Sequence, residues 1–287
     1  SNAPADDTKL QDYTRMNEGA KKAFEELQAQ GIKDIYYLTR EELGPHPDAW
    51  VDYVHPSDWG METQANAVER KVREILRIPE GDLSTTKPVT QRREPNKRHR
   101  DILSLNQSNP PRRVILGNSI THFWGGEPKG PSVRGLETWE KIMRPAGFHN
   151  LGYGFDRIEN VLWRVYHGEL DGYKAEEVVL MIGTNNIGIN NDNEIVEGIR
   201  FLLSAIRQRQ PEAKIKVIGI LPRRNQEERV RNLNLRIRQI AETGWYTFKN
   251  PGTKLLQEDG KINESLFSDG LHPNEEGYKQ IVDEIAH

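Results

Sequence analysis

Four short segments of this 287-residue chain carry residue types that can run acyl transfer. Asp269-Gly-Leu-His272-Pro273 sets a carboxylate three residues before an imidazole on one loop. That spacing lets the carboxylate hold the ring's Nδ1–H while Nε2 faces a nucleophile. Gly117-Asn118-Ser119-Ile120 directly follows an apolar run, so Ser119 is expected on a strand-to-helix turn, held out at a sheet edge near the positive end of the next helix. In Asn150-Leu-Gly-Tyr-Gly-Phe-Asp156-Arg157, two glycines permit close backbone approach and leave N–H groups available to a site. In Gly183-Thr-Asn185-Asn186, a side-chain amide can donate to a developing oxyanion, a contact typically worth ~3 kcal/mol of barrier. Taken singly, each has a plainer role: Ser119 as a helix N-cap, the glycines as a left-handed turn, Asn185 as a turn former, His272 as a surface residue beside a proline. Together they supply nucleophile, oxyanion donors, base and orienter, provided one sheet edge gathers them.

The elements that must do so are legible from residue 112 onward. Apolar runs at 113–116, 148–151, 177–182, 214–220 and, more weakly, 245–248 read as strands. Between them Ile195, Ile199, Leu202, Leu203 and Ile206 recur at helical spacing, as do Val230, Leu233, Ile237 and Ile240. Strands alternating with helices predict an α/β fold: a doubly wound, about five-stranded parallel sheet with helices on both faces and a ligand crevice beyond the carboxyl ends of the strands.

The N-terminal third is an internal echo. Asp52-Tyr-Val-His55-Pro56 repeats the D-x-x-H-P pattern of Asp269 to Pro273, and Gly60 follows as Gly277 does. Asn17 stands as far before Asp52 as Asn234 stands before Asp269, and each interval holds a helical pattern, a glycine and a β-type run (35–38 or 245–248). Matched order over such a length points to duplication. The expected division is a partial domain at 1–80, a basic, solvated linker at 81–94, and the main domain at 95–287. The basic run Lys87 to Arg100, broken by Pro88 and Pro95, begins in that linker and reads as a solvated stretch.

Composition removes several classes. The 40 basic and 43 acidic residues give a formal charge of −3, which disfavours a general nucleic-acid or anionic-membrane binder. No apolar run is long enough for a transmembrane segment. The absence of cysteine removes disulfides, thiolate nucleophiles and Cys-ligated zinc. A phosphate-handling protein is disfavoured because no G-x-x-x-x-G-K-[ST] loop occurs, and no acidic cluster suggests a metal. No cofactor is expected. The opening Ser1-Asn2-Ala3 looks like a cloning remnant that would conceal any signal peptide, and an extracytoplasmic address is the expectation.

In this order the four segments resemble the SGNH hydrolases, also called GDSL-type esterases and lipases. Asn150 to Leu170, with Val161-Leu-Trp-Arg164 and Gly168-Glu-Leu170, is most similar to the branch of the platelet-activating-factor acetylhydrolase catalytic subunits. The resemblance covers about residues 95–287 and implies a flavodoxin-like sheet. It further implies Ser119 as nucleophile, Asp269 and His272 as its triad partners, and an oxyanion hole from the Ser119 N–H, a glycine N–H and Asn185. Residues 7–78 resemble the closing block of a second such domain, whose Asp52/His55 pair has no serine partner within this chain.

Two departures matter. The family's Asp before the nucleophile is Asn118, a neutral isostere, and its oxyanion Gly falls on Phe155, a residue type for which positive φ is costly. Gly154 is the alternative donor. The implied activity is a metal-free serine esterase acting on small acyl esters, acetyl foremost, with a carbohydrate as one candidate alcohol. For that alcohol Trp124, Trp139, Tyr153, Phe155 and Trp163 are the candidate stacking residues. A catalytically silent binding module on the same fold and a longer-chain lipase or lysophospholipase remain open. So do a homo-oligomer and docking through residues 1–80.

Overall fold

The computed structural model describes residues 7–39, 41–43, 55–75, 81–91, 97–244 and 246–287, and the chain divides into two units, Ser1–Pro79 and Glu80–His287. The first unit contains α1 (Asp7–Ala29) and α2 (Asp58–Ile75). Tyr37 stacks on Phe24 with ring centroids 5.6 Å apart, and its hydroxyl donates to Asn17 O at 3.2 Å, so the segment after α1 folds back along it. The β-type run at 35–38 is irregular rather than a strand. Among the described residues it has no neighbouring strand, and without one its ladder groups cannot be paired. Asp52 lies outside the described residues, and His55 is exposed.

The second unit runs α3 (Lys97–Ser108), β1 (Arg113–Gly117), α4 (Ser119–His122), α5 (Leu136–Thr138), β2 (Phe148–Gly152), α6 (Ile158–Tyr166), β3 (Glu177–Met181), α7 (Asp192–Arg209), β4 (Lys214–Ile218), α8 (Glu227–Thr243), β5 (Thr247–Lys249) and α9 (Glu275–Ala286). The strands form one parallel sheet in the order β2-β1-β3-β4-β5, with Ile115 opposite both Asn150 and Val179. The doubly wound sheet expected from the alternating runs is present; its fifth strand begins two residues later than expected, and Trp245 lies outside the described residues.

Parallel strands must be covered on both faces, and the side chains show how. Ile115, Val179 and Ile218 meet Trp124, Trp139, Tyr278 and Ile281 in one core. The periodic residues of α7 and α8 named above are all buried. Each fully buried aliphatic side chain contributes about 1.5–3 kcal/mol, so packing rather than helix propensity holds these elements in place. Strand order reverses between β1 and β3, which opens a crevice at their carboxyl ends. Among the described residues no helix is long and apolar enough to cross a membrane.

The solvated linker is not what residues 81–91 form. Thr85 is buried and donates its hydroxyl to Glu194 O at 2.7 Å, in the space left by Gly198, where a Cβ would lie 2.5 Å from Thr85 Cβ. Val89 N donates to Glu159 O at 3.1 Å, and Asn160 Nδ2 donates to Val89 O at 2.9 Å. Arg98, part of the same basic run, is only 6% exposed. Composition misreads Arg98 because its guanidinium is satisfied by backbone carbonyls far away in the chain, whereas Lys87, Lys97 and Arg100 of the same run are exposed. Residues 92–94 lie outside the described residues.

Candidate active site

The site begins where β1 ends. Gly117 is required there, since a Cβ would lie 2.1 Å from Thr121 Oγ1 and 2.7 Å from Met181 O. Asn118, not Ser119, caps α4: its Oδ1 accepts from Ile120 N at 2.9 Å. A carboxylate would accept the same bond, so the neutral side chain keeps the turn. Ser119 becomes the first helical residue and is 7% exposed.

The Ser119 hydroxyl meets His272 Nε2 at 2.8 Å, across 153 residues of sequence. His272 Nδ1 lies 2.8 Å from Asp269 Oδ2. With Nδ1–H donated to the carboxylate, Nε2 is the ring's acceptor and can receive the serine proton. Asp269 Oδ1 accepts from the backbone N–H groups of His272 at 2.8 Å and Leu271 at 3.1 Å. Gly270 takes φ +78° in the tight loop this requires. Burial alone would raise the Asp269 carboxyl, but those N–H groups and the imidazole hold it down at about 2. His272 is lowered by burial; Asp269 opposes this, and the charges of Arg134 and Arg223 reinforce it.

The loop after β2 closes the other side. Asn150 Nδ2 donates to Thr121 O and Gly125 O, both at 2.6 Å, and its Oδ1 accepts from Gly152 N at 2.9 Å, tying β2 to the nucleophile's helix. Gly154 N donates to His122 Nδ1 at 3.0 Å, so that N–H is already spent. Phe155 adopts φ +65°, the left-handed conformation its residue type was expected to resist, and its ring is 57% exposed. Asn185, on the turn after β3, donates from Nδ2 to Asp156 O at 2.9 Å, and its second amide hydrogen has no partner among the described residues. Ser119 at the start of α4, the 154–155 turn after β2 and Asn185 after β3 therefore all lie at the carboxyl edge of one sheet, and the loop of Asp269 and His272 is brought there by the contact with Ser119.

Beneath this loop is a polar interior that the sequence did not reveal. Arg164 binds Asp156 Oδ2 through Nε at 2.9 Å and also donates to Glu169; Tyr153 OH donates to Glu169, and His99 Nδ1 lies 2.9 Å from it. Arg98 donates to Gly152 O at 2.8 Å, Asn150 O at 3.1 Å and Pro128 O at 2.5 Å. Its charge and that of Arg164 add to the burial of His122, driving that imidazole down to about 3, so it is neutral in ordinary buffers. Trp124, Trp139 and Tyr153 are buried and offer no ring to a ligand, and Trp163 stacks on His167 at 3.9 Å. Of the aromatic residues considered for sugar stacking, Phe155 alone is exposed beside the site.

A family model described as the GDSL-like lipase/acylhydrolase family matches residues 115–280, and a second model of the same description matches residues 2–73. The chain belongs to the GDSL-like lipase/acylhydrolase family. It is accordingly an ester-hydrolysing enzyme. The platelet-activating factor acetylhydrolase IB subunit alpha1 of Bos taurus is 26% identical over 190 residues, 64% of this chain and 77% of the relative. The IB subunit beta homolog of Drosophila melanogaster is 30% identical over 192 residues, 65% and 81% of the two chains. The structure of a Streptococcus pneumonia protein named for platelet activating factor shares the fold with a TM-score of 0.57 and 19% identity, covering 78% of this chain and 99% of that one. A Bacteroides fragilis structure named for an acylhydrolase aligns with a TM-score of 0.50 and 19% identity, over 75% and 92%. The second family model bears on the N-terminal echo, since it covers most of the duplicated segment. Residues the sequence reading missed are His122, Arg98, Arg134 and Arg223; Arg164 and Glu169 served there only as marks of resemblance.

Proposed function

We propose that this GDSL acylhydrolase is a serine esterase for small acyl esters, acetyl foremost, with Ser119 as nucleophile, His272 as base and Asp269 as its orienter. The observation that carries the reading is the continuous pair of 2.8 Å contacts from Ser119 Oγ through the imidazole to Asp269. His272 takes the Ser119 proton as Oγ bonds to the acyl carbon. The oxyanion is met by the Ser119 and Phe155 N–H groups and by Asn185 Nδ2, while Gly154 braces the turn through His122. The ester C–O bond then breaks, His272 gives its proton to the departing alcohol, and water repeats the sequence to release the acid. Both sequence departures lose force as arguments for a silent module, because Asn118 still caps the turn and Phe155 holds positive φ. A carbohydrate alcohol rests on Phe155 alone. Residues 1–80 are read as the closing part of a duplicated domain, consistent with the family match at 2–73.

Ser119→Ala is expected to abolish turnover of p-nitrophenyl acetate in a folded protein. Undiminished hydrolysis by that variant removes Ser119 from the mechanism. A rate maximum at eight carbons or longer in a p-nitrophenyl ester series replaces the small-acyl reading with a lipase one.

A further inference from the structure

Several arginines of the second unit are neutralised by carboxylates. Arg157 pairs with Glu159 at 3.0 Å, Arg224 with Glu264 at 2.6 Å, Arg229 with Asp192 at 2.8 Å and Arg134 with Asp269 at 3.2 Å. Arg223, half-buried on the loop after β4, has no carboxylate partner among the described residues. Its one hydrogen bond there runs from Nη1 to Thr184 O at 3.1 Å, which leaves most of the guanidinium's five N–H donors unspent.

The residue is nevertheless held in place. Arg224 N donates to Gly270 O at 2.9 Å, fixing the loop to the segment that carries Asp269 and His272, while the Thr184 contact fixes the side chain to the turn that carries Asn185. Arg224 does not substitute for it: its guanidinium is taken by Glu264 and lies against Gly270, where a Cβ would come within 2.6 Å of it. The charge of Arg223 is among those that lower His272, after burial and Arg134. A pre-positioned, half-desolvated guanidinium with open donors is the group that recognises an oxyanion best.

Resting on the esterase reading, we propose that Arg223 is an anion-binding residue of the substrate site and that the preferred esters carry a carboxylate or similar anionic oxygen group on the alcohol side. The alcohol side follows from the chemistry. His272 Nε2 delivers its proton to the leaving oxygen, so the alcohol lies toward the His272 loop, to which the Arg223 loop is bonded through Arg224 N and Gly270 O, whereas the acyl oxygen lies toward Ser119 and the Phe155 N–H.

The test compares 4-acetoxyphenylacetate with its amide, 4-acetoxyphenylacetamide, near pH 7.5. Both carry the same acetyl group on phenols of similar acidity and differ chiefly in charge. The full chain should prefer the anionic ester by ~10-fold in kcat/KM, mostly through KM, and added salt should shrink that preference. Arg223→Met should bring the ratio close to one, and Arg223→Lys should keep part of it, since an ammonium supplies charge without the fork. A ratio near one in the unmodified protein, or a preference that survives Arg223→Met, overturns the anion site and leaves the esterase reading standing. Failure of the unmodified protein to hydrolyse either ester overturns both.

Discussion

Replacing His122 with leucine removes the acceptor that holds the oxyanion turn and leaves the Gly154 N–H buried without a partner. The bond is 3.0 Å long and its acceptor is a neutral ring nitrogen, so the loss is that of one buried, uncharged hydrogen bond. An unsatisfied buried donor costs about 1–3 kcal/mol. The turn can relieve that cost by rotating, which carries the adjoining Phe155 N–H out of position. If the whole cost falls on the transition state, turnover drops roughly 5- to 150-fold, since ~1.4 kcal/mol is tenfold. His122→Asn is the matched control, because asparagine Oδ1 stands the same number of bonds from Cα as histidine Nδ1 and can accept the same N–H. Both variants lose the buried ring and both should unfold at lower temperature, so thermal unfolding reports packing while the difference in kcat reports the bond. The expected result on p-nitrophenyl acetate is a kcat for His122→Leu well below that of His122→Asn, with KM little changed. Equal kcat values in the two variants refute the claim that His122 positions the oxyanion turn.

Three further outcomes follow from the same geometry. The base must be neutral to act, and burial lowers His272 below the ordinary histidine value, so kcat/KM should rise with pH through a single acid limb whose midpoint lies under ~6.5; Asp269, held at about 2, stays ionised throughout. Arg134 reinforces that lowering, so Arg134→Met should move the limb to higher pH, and a limb that stays put or moves lower counts against the assignment. Phe155 carries positive φ, where a β-branched side chain is strained and glycine is not; Phe155→Val should therefore be far less active and less heat-stable than Phe155→Gly, and the reverse order would refute a functional role for that backbone conformation.

The sheet, its helices and the serine-to-histidine meeting were legible because each rests on local pattern. Apolar runs closed by glycine mark parallel strands, and residues that follow successive strands share one edge by topology alone. Ser119 and His272 meet for that reason and not through any spacing in sequence. What sequence reasoning got wrong was partnership. The β-type run at 35–38 has strand composition and no strand beside it, and a strand is a property of pairs. Residues 81–91 and Arg98 read as solvated because they are polar, yet Thr85, Val89 and Arg98 spend their donors on carbonyls thirty or more residues away, and no short window along the chain contains both halves of such a bond.

The same blindness hid what fixes the loop proposed to supply an oxyanion donor. A loop with two glycines is soft, whereas catalysis needs donors that do not reorganise as charge develops. Apolar packing excludes water but specifies direction poorly. Buried donors and acceptors specify direction, and each must be satisfied or the loop rearranges. Here Arg98 grips the carbonyls of Asn150 and Gly152, Arg164 holds Asp156, Asn185 holds the Asp156 carbonyl, and His122 takes the Gly154 N–H. Paired burial of charge such as Arg164 between Asp156 and Glu169 gains little net stability over a well-packed apolar substitute, while breaking the pair costs about 3–5 kcal/mol. An arrangement that is costly to break but not especially stabilising to make is suited to holding one loop geometry, and the loop so held is the one tied through His122 to the helix that Ser119 begins.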